Sequence, residues 1–244
     1  MNIRVFATPR EWNEDDVRDT TAIVVDVLRA SSTIIQAMAN GAREILPVAT
    51  PAEAGELAAK AGRGDVLLGG ERDGKMIEGF DLGNSPFEYV PGRVAGRTIV
   101  FASTNGAPAL VRCKVAEQVL VASFNNYSAA VAVARTFGND VAIICSGRQG
   151  KFSLEDFVCA GKLVEGIVGQ NGPLAHDGAQ AALDLFRYYR SQISEVVRNS
   201  FHGKYLAGLG FEADLEYCAR VDAQQVVPML IEGKIRLPKT NGSS

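Results

Sequence analysis

Thr21-Ala22-Ile23-Val24-Val25-Asp26-Val27-Leu28-Arg29-Ala30-Ser31-Ser32-Thr33 runs from an apolar, β-branched stretch onto an acid, then through a polar loop into a helix expected over residues 34–40. A near-continuous apolar strand of this kind is buried on both faces. Similar runs recur at 45–48, 97–101, 119–121 and 141–144, with helical patterns between them. Thr50, Pro51 and Glu53 read as a cap, a first-turn proline and a capping-box acid, with Gly62 as the stop. The alternation predicts an α/β fold, a mostly parallel sheet covered by helices in three layers, with ligand-binding loops at the carboxyl ends of strands. Residues 23–48 and 99–121 echo one another as strand, Ser/Thr loop, short apolar helix and strand. One α/β unit over 1–244 is therefore expected, with two related, intertwined halves as the alternative.

The bulk properties exclude several classes. Of 244 residues, 47% are hydrophobic and 22% charged, which suits a packed globule. A net charge of -3 and no dense basic run oppose nucleic-acid binding. No apolar run reaches the roughly 18 residues that span a bilayer, and no secretory leader pattern opens the chain, so a cytoplasmic protein is expected. The four cysteines form no C-x-x-C pair, against structural zinc. Residues 129–133 form an apolar face read as core or subunit contact, with a homo-oligomer expected, and the small polar tail 239–244 is expected to fray.

Four clusters carry chemistry. In the opening stretch, Ser31, Ser32 and Thr33 offer hydroxyls and N–H groups at a helix start, Arg29 offers a fork for phosphate or carboxylate, and Asp26 faces a metal or a proton. The plain alternative makes Ser31 or Ser32 a cap, Arg29 a surface residue and Asp26 a turn former. The second cluster joins Gly70-Glu71-Arg72 to Gly79-Phe80-Asp81-Leu82-Gly83-Asn84-Ser85-Pro86, in which Glu71 or Asp81 supplies oxygen to a hard cation and Asn84 and Ser85 hydrogen-bond, against a simple turn. The third, Ser103-Thr104-Asn105-Gly106, is an anion cradle or an ordinary strand-to-helix turn. In the fourth, Arg148 precedes Ser153-Leu154-Glu155-Asp156, which is a capping box or a pair of acids reaching a cation. Cys145 reads as an inert core thiol more readily than a nucleophile, and His202 as a surface or core residue more readily than a pocket residue. The absence of a G-x-S-x-G elbow opposes a Ser-His-Asp hydrolase.

Taken together, 26–33, 70–72, 79–86, Thr104-Asn105-Gly106 and Phe152-Ser153-Leu154-Glu155-Asp156 resemble the 2-phosphosulfolactate phosphatases. The likeness continues through Cys159-Ala160-Gly161, Asp177-Gly178-Ala179 and Ser200-Phe201-His202-Gly203. It implies a magnesium-dependent hydrolase of phosphomonoesters that releases 3-sulfolactate and phosphate, a step associated with coenzyme M synthesis. The implied substrate carries phosphate, carboxylate and sulfonate on three carbons, for which Arg29, Arg72 and Arg148 are expected to converge with Ser31, Ser32, Thr33, Asn84, Ser85, Thr104 and Asn105. The expected catalytic set is Asp26, Arg29 and Asp156, with Asp26, Glu71 and Asp156 on Mg2+; a covalent aspartyl-phosphate on Asp26 is the alternative. The sequence departs from the family pattern at Ser103 and Ala107, and at Ala175-His176 before Asp177, which puts the choice of substrate in doubt. Another 2-phospho-hydroxy acid, such as phospholactate or phosphoglycolate, or a non-catalytic anion binder, are the rival readings.

Overall fold

The computed structural model describes residues 1–61, 64, 66–169, 174 and 176–238. Gly62, Ala175 and the tail 239–244 lie outside the described residues. The strands are β1 (Ile3–Phe6), β2 (Thr21–Val25), β3 (Glu44–Val48), β4 (Val66–Arg72), β5 (Lys75–Met76), β6 (Thr98–Ala102), β7 (Gln118–Ala122), β8 (Val141–Cys145), β9 (Met229–Ile231) and β10 (Lys234–Arg236). The helices are α1 (Ala30–Ala39), α2 (Pro51–Ala61), α3 (Pro91–Val94), α4 (Gly106–Arg112), α5 (Tyr127–Phe137), α6 (Leu154–Val168), α7 (Asp177–Tyr189), α8 (Ile193–Asn199), α9 (Phe201–Ala207) and α10 (Glu212–Cys218).

The strands form one sheet in the order β1-β8-β2-β7-β9-β10-β3-β6-β4-β5. β1, β8, β2 and β7 make one parallel ladder, and β3, β6 and β4 a second. The β9–β10 hairpin joins them through Leu120↔Met229 on one side and Ile235↔Ile45 on the other. Three antiparallel pairings in succession, β7 with β9, β9 with β10 and β10 with β3, reverse the chain direction, so the second ladder runs opposite to the first. Glu44 on β3 fastens the hairpin by accepting from Lys234 Nζ at 2.9 Å and Arg236 Nη2 at 2.6 Å. The expected mostly parallel α/β sheet is thus present, with an antiparallel seam at its centre.

Side-chain alternation passes unbroken through this seam, as strand geometry requires. On one face Ala22, Val24, Val121 and Ile144 from the first ladder share a core with Ile45, Ile99 and Phe101 from the second, and α1 and α4 fill the space between them. On the other face Ile23, Val25, Ile143 and Cys145 pack on α5, α6 and α7, while Leu68, Val100 and Ala102 meet Ala54 and Ala58 of α2. Ala130 and Val131, in the apolar 129–133 face, belong to the first of these cores. Both β2–α1–β3 and β6–α4–β7 cross from one ladder to the other. No helix among the described residues is long and apolar enough to cross a membrane.

Local chemistry sets the helix starts. Thr50 Oγ1 accepts from Glu53 N at 3.2 Å, and the Glu53 carboxylate reaches back to Ala49 N at 3.1 Å, so the cap read from sequence opens α2. Helix α1 begins at Ala30, four residues before the expected 34, which turns Ser31, Ser32 and Thr33 from loop into first turn.

Two glycines on helices test the packing in opposite senses. A Cβ at Gly161 of α6 would lie 1.9 Å from the Ala182 carbonyl oxygen of α7, whereas one at Gly55 of α2 would meet nothing within 4 Å. Urea denaturation should show Gly161→Ala destabilised by about 1–3 kcal/mol through overpacking, and Gly55→Ala stabilised by about 0.4–1 kcal/mol through its stiffer unfolded chain. Equal effects of the two changes would refute this account of α6 against α7.

Candidate active site

The strand ends bring the polar clusters to one cavity. Asp26 follows β2, Glu71 lies near the end of β4, Thr104 and Asn105 follow β6, and Arg148 follows β8; all of them line it, with Asn84, Arg29 and His202. Strands of the two opposed ladders thus contribute to one cavity.

Asp26 is buried. Its Oδ1 accepts the Ala30 N–H at 3.2 Å, and its own N–H donates to Ser31 Oγ at 3.0 Å. Gly106 clears space beside it, since a Cβ there would stand 2.6 Å from Asp26 Oδ2. Burial pushes the Asp26 carboxyl up to about 7, with the charges of Glu71 and Glu155 adding to the rise and His202 and the Ala30 N–H opposing it. Glu71 bridges two loops, accepting from Gly74 N at 2.8 Å and Thr104 N at 2.6 Å.

Arg29 is almost wholly enclosed. Nη1 donates to Asp214 Oδ2 at 2.6 Å and Nη2 to the Gly74 carbonyl at 2.7 Å, with the guanidinium 4.1 Å over the Phe211 ring. Asp214 also accepts from Ser85 Oγ at 2.7 Å. Arg29 therefore meets the cavity with both terminal nitrogens already engaged. Arg148 differs: it stacks on Tyr205 at 4.4 Å and has no carboxylate partner among the described residues. Two polar atoms shut from solvent, Thr104 Oγ1 and Asn84 Oδ1, lack a hydrogen-bond partner among the described residues. Such orphans on a cavity wall are suited to a ligand.

Several expected site residues do other work. The three hydroxyls of α1 are spent on the backbone: Ser31 Oγ bonds the Val24 carbonyl, Ser32 Oγ the Val27 carbonyl and Thr33 Oγ1 the Asn84 carbonyl, and none lines the cavity. Ser85 is committed to Asp214. Arg72 turns away, donating to the carbonyls of Glu71 and Ala49. Asp81 holds Leu68 N instead of facing the cavity. Asp156 is neither a cap partner nor a cavity ligand: its two oxygens accept from Val27 N at 2.8 Å and Gly147 N at 3.0 Å, tying the loops after β2 and β8 together. Ser153 caps α6 without a side-chain hydrogen bond. Among the described residues no three Asp, Glu, His or Cys side chains gather to hold a metal ion, and of the expected ligands Asp26 and Glu71 line the cavity while Asp156 does not. Cys145 is an inert core thiol, its pKa pushed far up chiefly by burial.

Two participants lie far from these motifs. Asp214 has no local signal in sequence beyond a helix start. His202 sits in a strand-free region and enters the cavity through the fold, contrary to its reading as a surface or core residue.

The sequence pattern of the 2-phosphosulpholactate phosphatase family matches residues 6–233. The chain is 36% identical over 236 residues to a protein of Caldanaerobacter subterraneus named probable 2-phosphosulfolactate phosphatase, covering 97% of this chain and 98% of that one. Proteins of the same name from Symbiobacterium thermophilum and Thermotoga maritima are 40% and 41% identical, covering 91% and 87% of this chain and 96% and 90% of theirs.

The buried charges generate two predictions. Removing Asp214 leaves Arg29 enclosed without its counter-charge, so Asp214→Ala should cost about 3–5 kcal/mol in urea denaturation, and a loss below 1 kcal/mol would contradict the pairing. Without metal, the folded chain keeps a proton on Asp26 that the unfolded chain releases between about pH 4 and 7, so stability falls as pH rises through that window and levels off above it. With chelator present, Asp26→Asn should exceed the wild type in stability at pH 8 by on the order of 1–4 kcal/mol and match it at pH 4. An advantage of equal size at both pH values would show that burial does not hold the proton on Asp26.

Proposed function

The chain belongs to the 2-phosphosulpholactate phosphatase family and is a phosphoric monoester hydrolase, and we propose that it removes phosphate from a small 2-phospho-hydroxy acid, with 2-phosphosulfolactate the first substrate to test. The observation that carries this reading is the meeting on one cavity wall of a buried carboxylate, Asp26, with a cation, Arg148, and a hydroxyl, Thr104 Oγ1, that have no acid and no hydrogen-bond partner, respectively, among the described residues.

Magnesium fits the donor chemistry of this cavity in a reduced form. The ion binds through one or two carboxylates and keeps water and substrate oxygens elsewhere in its shell. Asp26 and Glu71 offer two carboxylates on one cavity, and these are the residues that would hold the ion. When bound, magnesium would polarise the phosphoryl group and offset its charge.

The remaining work falls to the chain itself. Arg148 attracts the anionic ester and holds its oxygens, because its guanidinium is not neutralised by an acid. Thr104 Oγ1 donates to a phosphoryl oxygen, and Asn84 Oδ1 accepts from a hydroxyl or a water on the ester. Arg29, clamped by Asp214 and Gly74, keeps positive potential at a fixed place on the wall without rearranging during reaction. Asp156 holds the loops that carry Asp26 and Arg148 in register.

Phosphate release from 2-phosphosulfolactate, phospholactate and phosphoglycolate, with and without magnesium, tests the proposal. Turnover should need the ion, Asp26→Asn should lose about 10²-fold or more, and Arg148→Ala should raise KM. No release from any of the three esters by folded protein supplied with magnesium would overturn the substrate class.

A further inference from the structure

His202 lines two cavities. The smaller holds Asp26, Glu71 and Thr104; the larger, of about 530 Å³, is lined by Arg148, Lys151, Phe152, Glu155 and Phe201. His202, Arg148 and Gln149 line both, so the two cavities adjoin there. For a 2-phospho-hydroxy acid whose phosphoryl group reaches Asp26, the residues that line the way on to Lys151 are His202, Arg148 and Gln149.

The position of the imidazole is fixed from behind. Ser200 Oγ accepts from Gly203 N at 2.9 Å and starts α9. Gly203 lets that helix close on α8, since a Cβ there would lie 2.0 Å from the Val197 carbonyl oxygen. Nδ1 of His202 lies 3.5 Å from Glu155 Oε1. Glu155 is 1% exposed, and neither of its oxygens accepts a hydrogen bond among the described residues. A buried carboxylate in that condition has one evident use, to orient the ring whose other nitrogen, Nε2, lies on the opposite edge.

The chemistry needs such a group. The oxygen of an aliphatic hydroxy acid leaves phosphorus poorly as an alkoxide and well as an alcohol, so a proton must reach it as the bond breaks. Arginine and lysine hold their protons too tightly for the task.

We propose that His202, oriented by Glu155, donates the proton to the departing ester oxygen. The phosphorus–oxygen bond breaks, its electron pair stays on the carbon-bound oxygen, and that oxygen takes the proton from Nε2. Phosphorus gains the oxygen of a water, whose released proton returns His202 to its starting state; ester and water become hydroxy acid and phosphate. The inference rests on the phosphatase reading above. His202 is then a catalytic residue and Glu155 a positioning residue.

Phospholactate and its 3,3,3-trifluoro analogue separate this role from a structural one, because the fluorinated leaving oxygen departs with much less need of a proton. The wild type, His202→Ala, His202→Gln and Glu155→Gln should be compared on both esters with magnesium present. The expected result is a fall in kcat of about 10²–10⁴-fold for both His202 variants on phospholactate, less than tenfold on the trifluoro ester, and a smaller loss of the same pattern for Glu155→Gln. Equal losses on the two esters, or no loss on phospholactate, would overturn the assignment of His202 while leaving the phosphatase reading intact. A wild type that releases phosphate from neither ester would overturn both.

Discussion

Enclosure of α1 is the constraint on which the rest of the molecule turns. Eight of its ten residues are buried, because faces of both ladders close on it together with α4. A helix so enclosed must satisfy every polar group it carries in. Its three hydroxyls accordingly bond carbonyls on both sides of the site: Val24 and Val27, which flank Asp26, and Asn84 from the opposite ladder. The Ala30 N–H and Ser31 Oγ grip Asp26 in turn. The packing of an apolar helix and the placement of a reactive carboxylate are thus one event, and loosening either loosens the other.

The electrostatics follow from how the remaining charges are spent. Burying ions is costly unless each finds a partner, and Arg29 finds Asp214, whereas burial and the nearby charges of Glu155 and Asp26 push the Asp156 carboxyl well above the ordinary range despite its two backbone N–H groups. Glu155 has His202 and Ser153 near it, and they hold its carboxyl below the ordinary range against the burial that would raise it. What is left over defines the cavity: a carboxylate at Asp26 that resists ionisation and a cation at Arg148 without an acid. Two arginines read from sequence as equivalent have opposite tasks, one structural and satisfied, one open to a ligand.

The five apolar runs were legible as strands because burial on both faces removes polar alternation, and the Thr50-Pro51-Glu53 cap was legible because its bonds are local. Asp26, Thr104 and Asn105 were legible as strand-end residues for the same reason, whereas Glu71 read as part of a loop and lies in β4. Local pattern does not reveal what a hydroxyl bonds to across the fold, so Ser31, Ser32 and Thr33 read as an anion cradle when they are a satisfied first turn. It does not reveal direction either: Arg72 follows Glu71 directly yet faces the other way. Asp214 and His202 come from helices more than 170 residues beyond Asp26, and only packing brings them there. The β9–β10 hairpin had a signal, Glu232-Gly233 between apolar residues, both at positive φ of 51° and 76°, as a tight hairpin turn requires.

That hairpin sits at the centre of the sheet although it is the last of the strands along the chain. Synthesis runs from the amino end, so every other strand has been made before residues 229–236 exist to join the two ladders. Until then β7 and β3 each present an open edge of unpaired backbone groups, the kind of edge that recruits strands from other chains. If the ladders form as the chain is made, they are complete but unjoined between the making of β8 and the making of β9, and a neighbouring chain could then supply the missing strands.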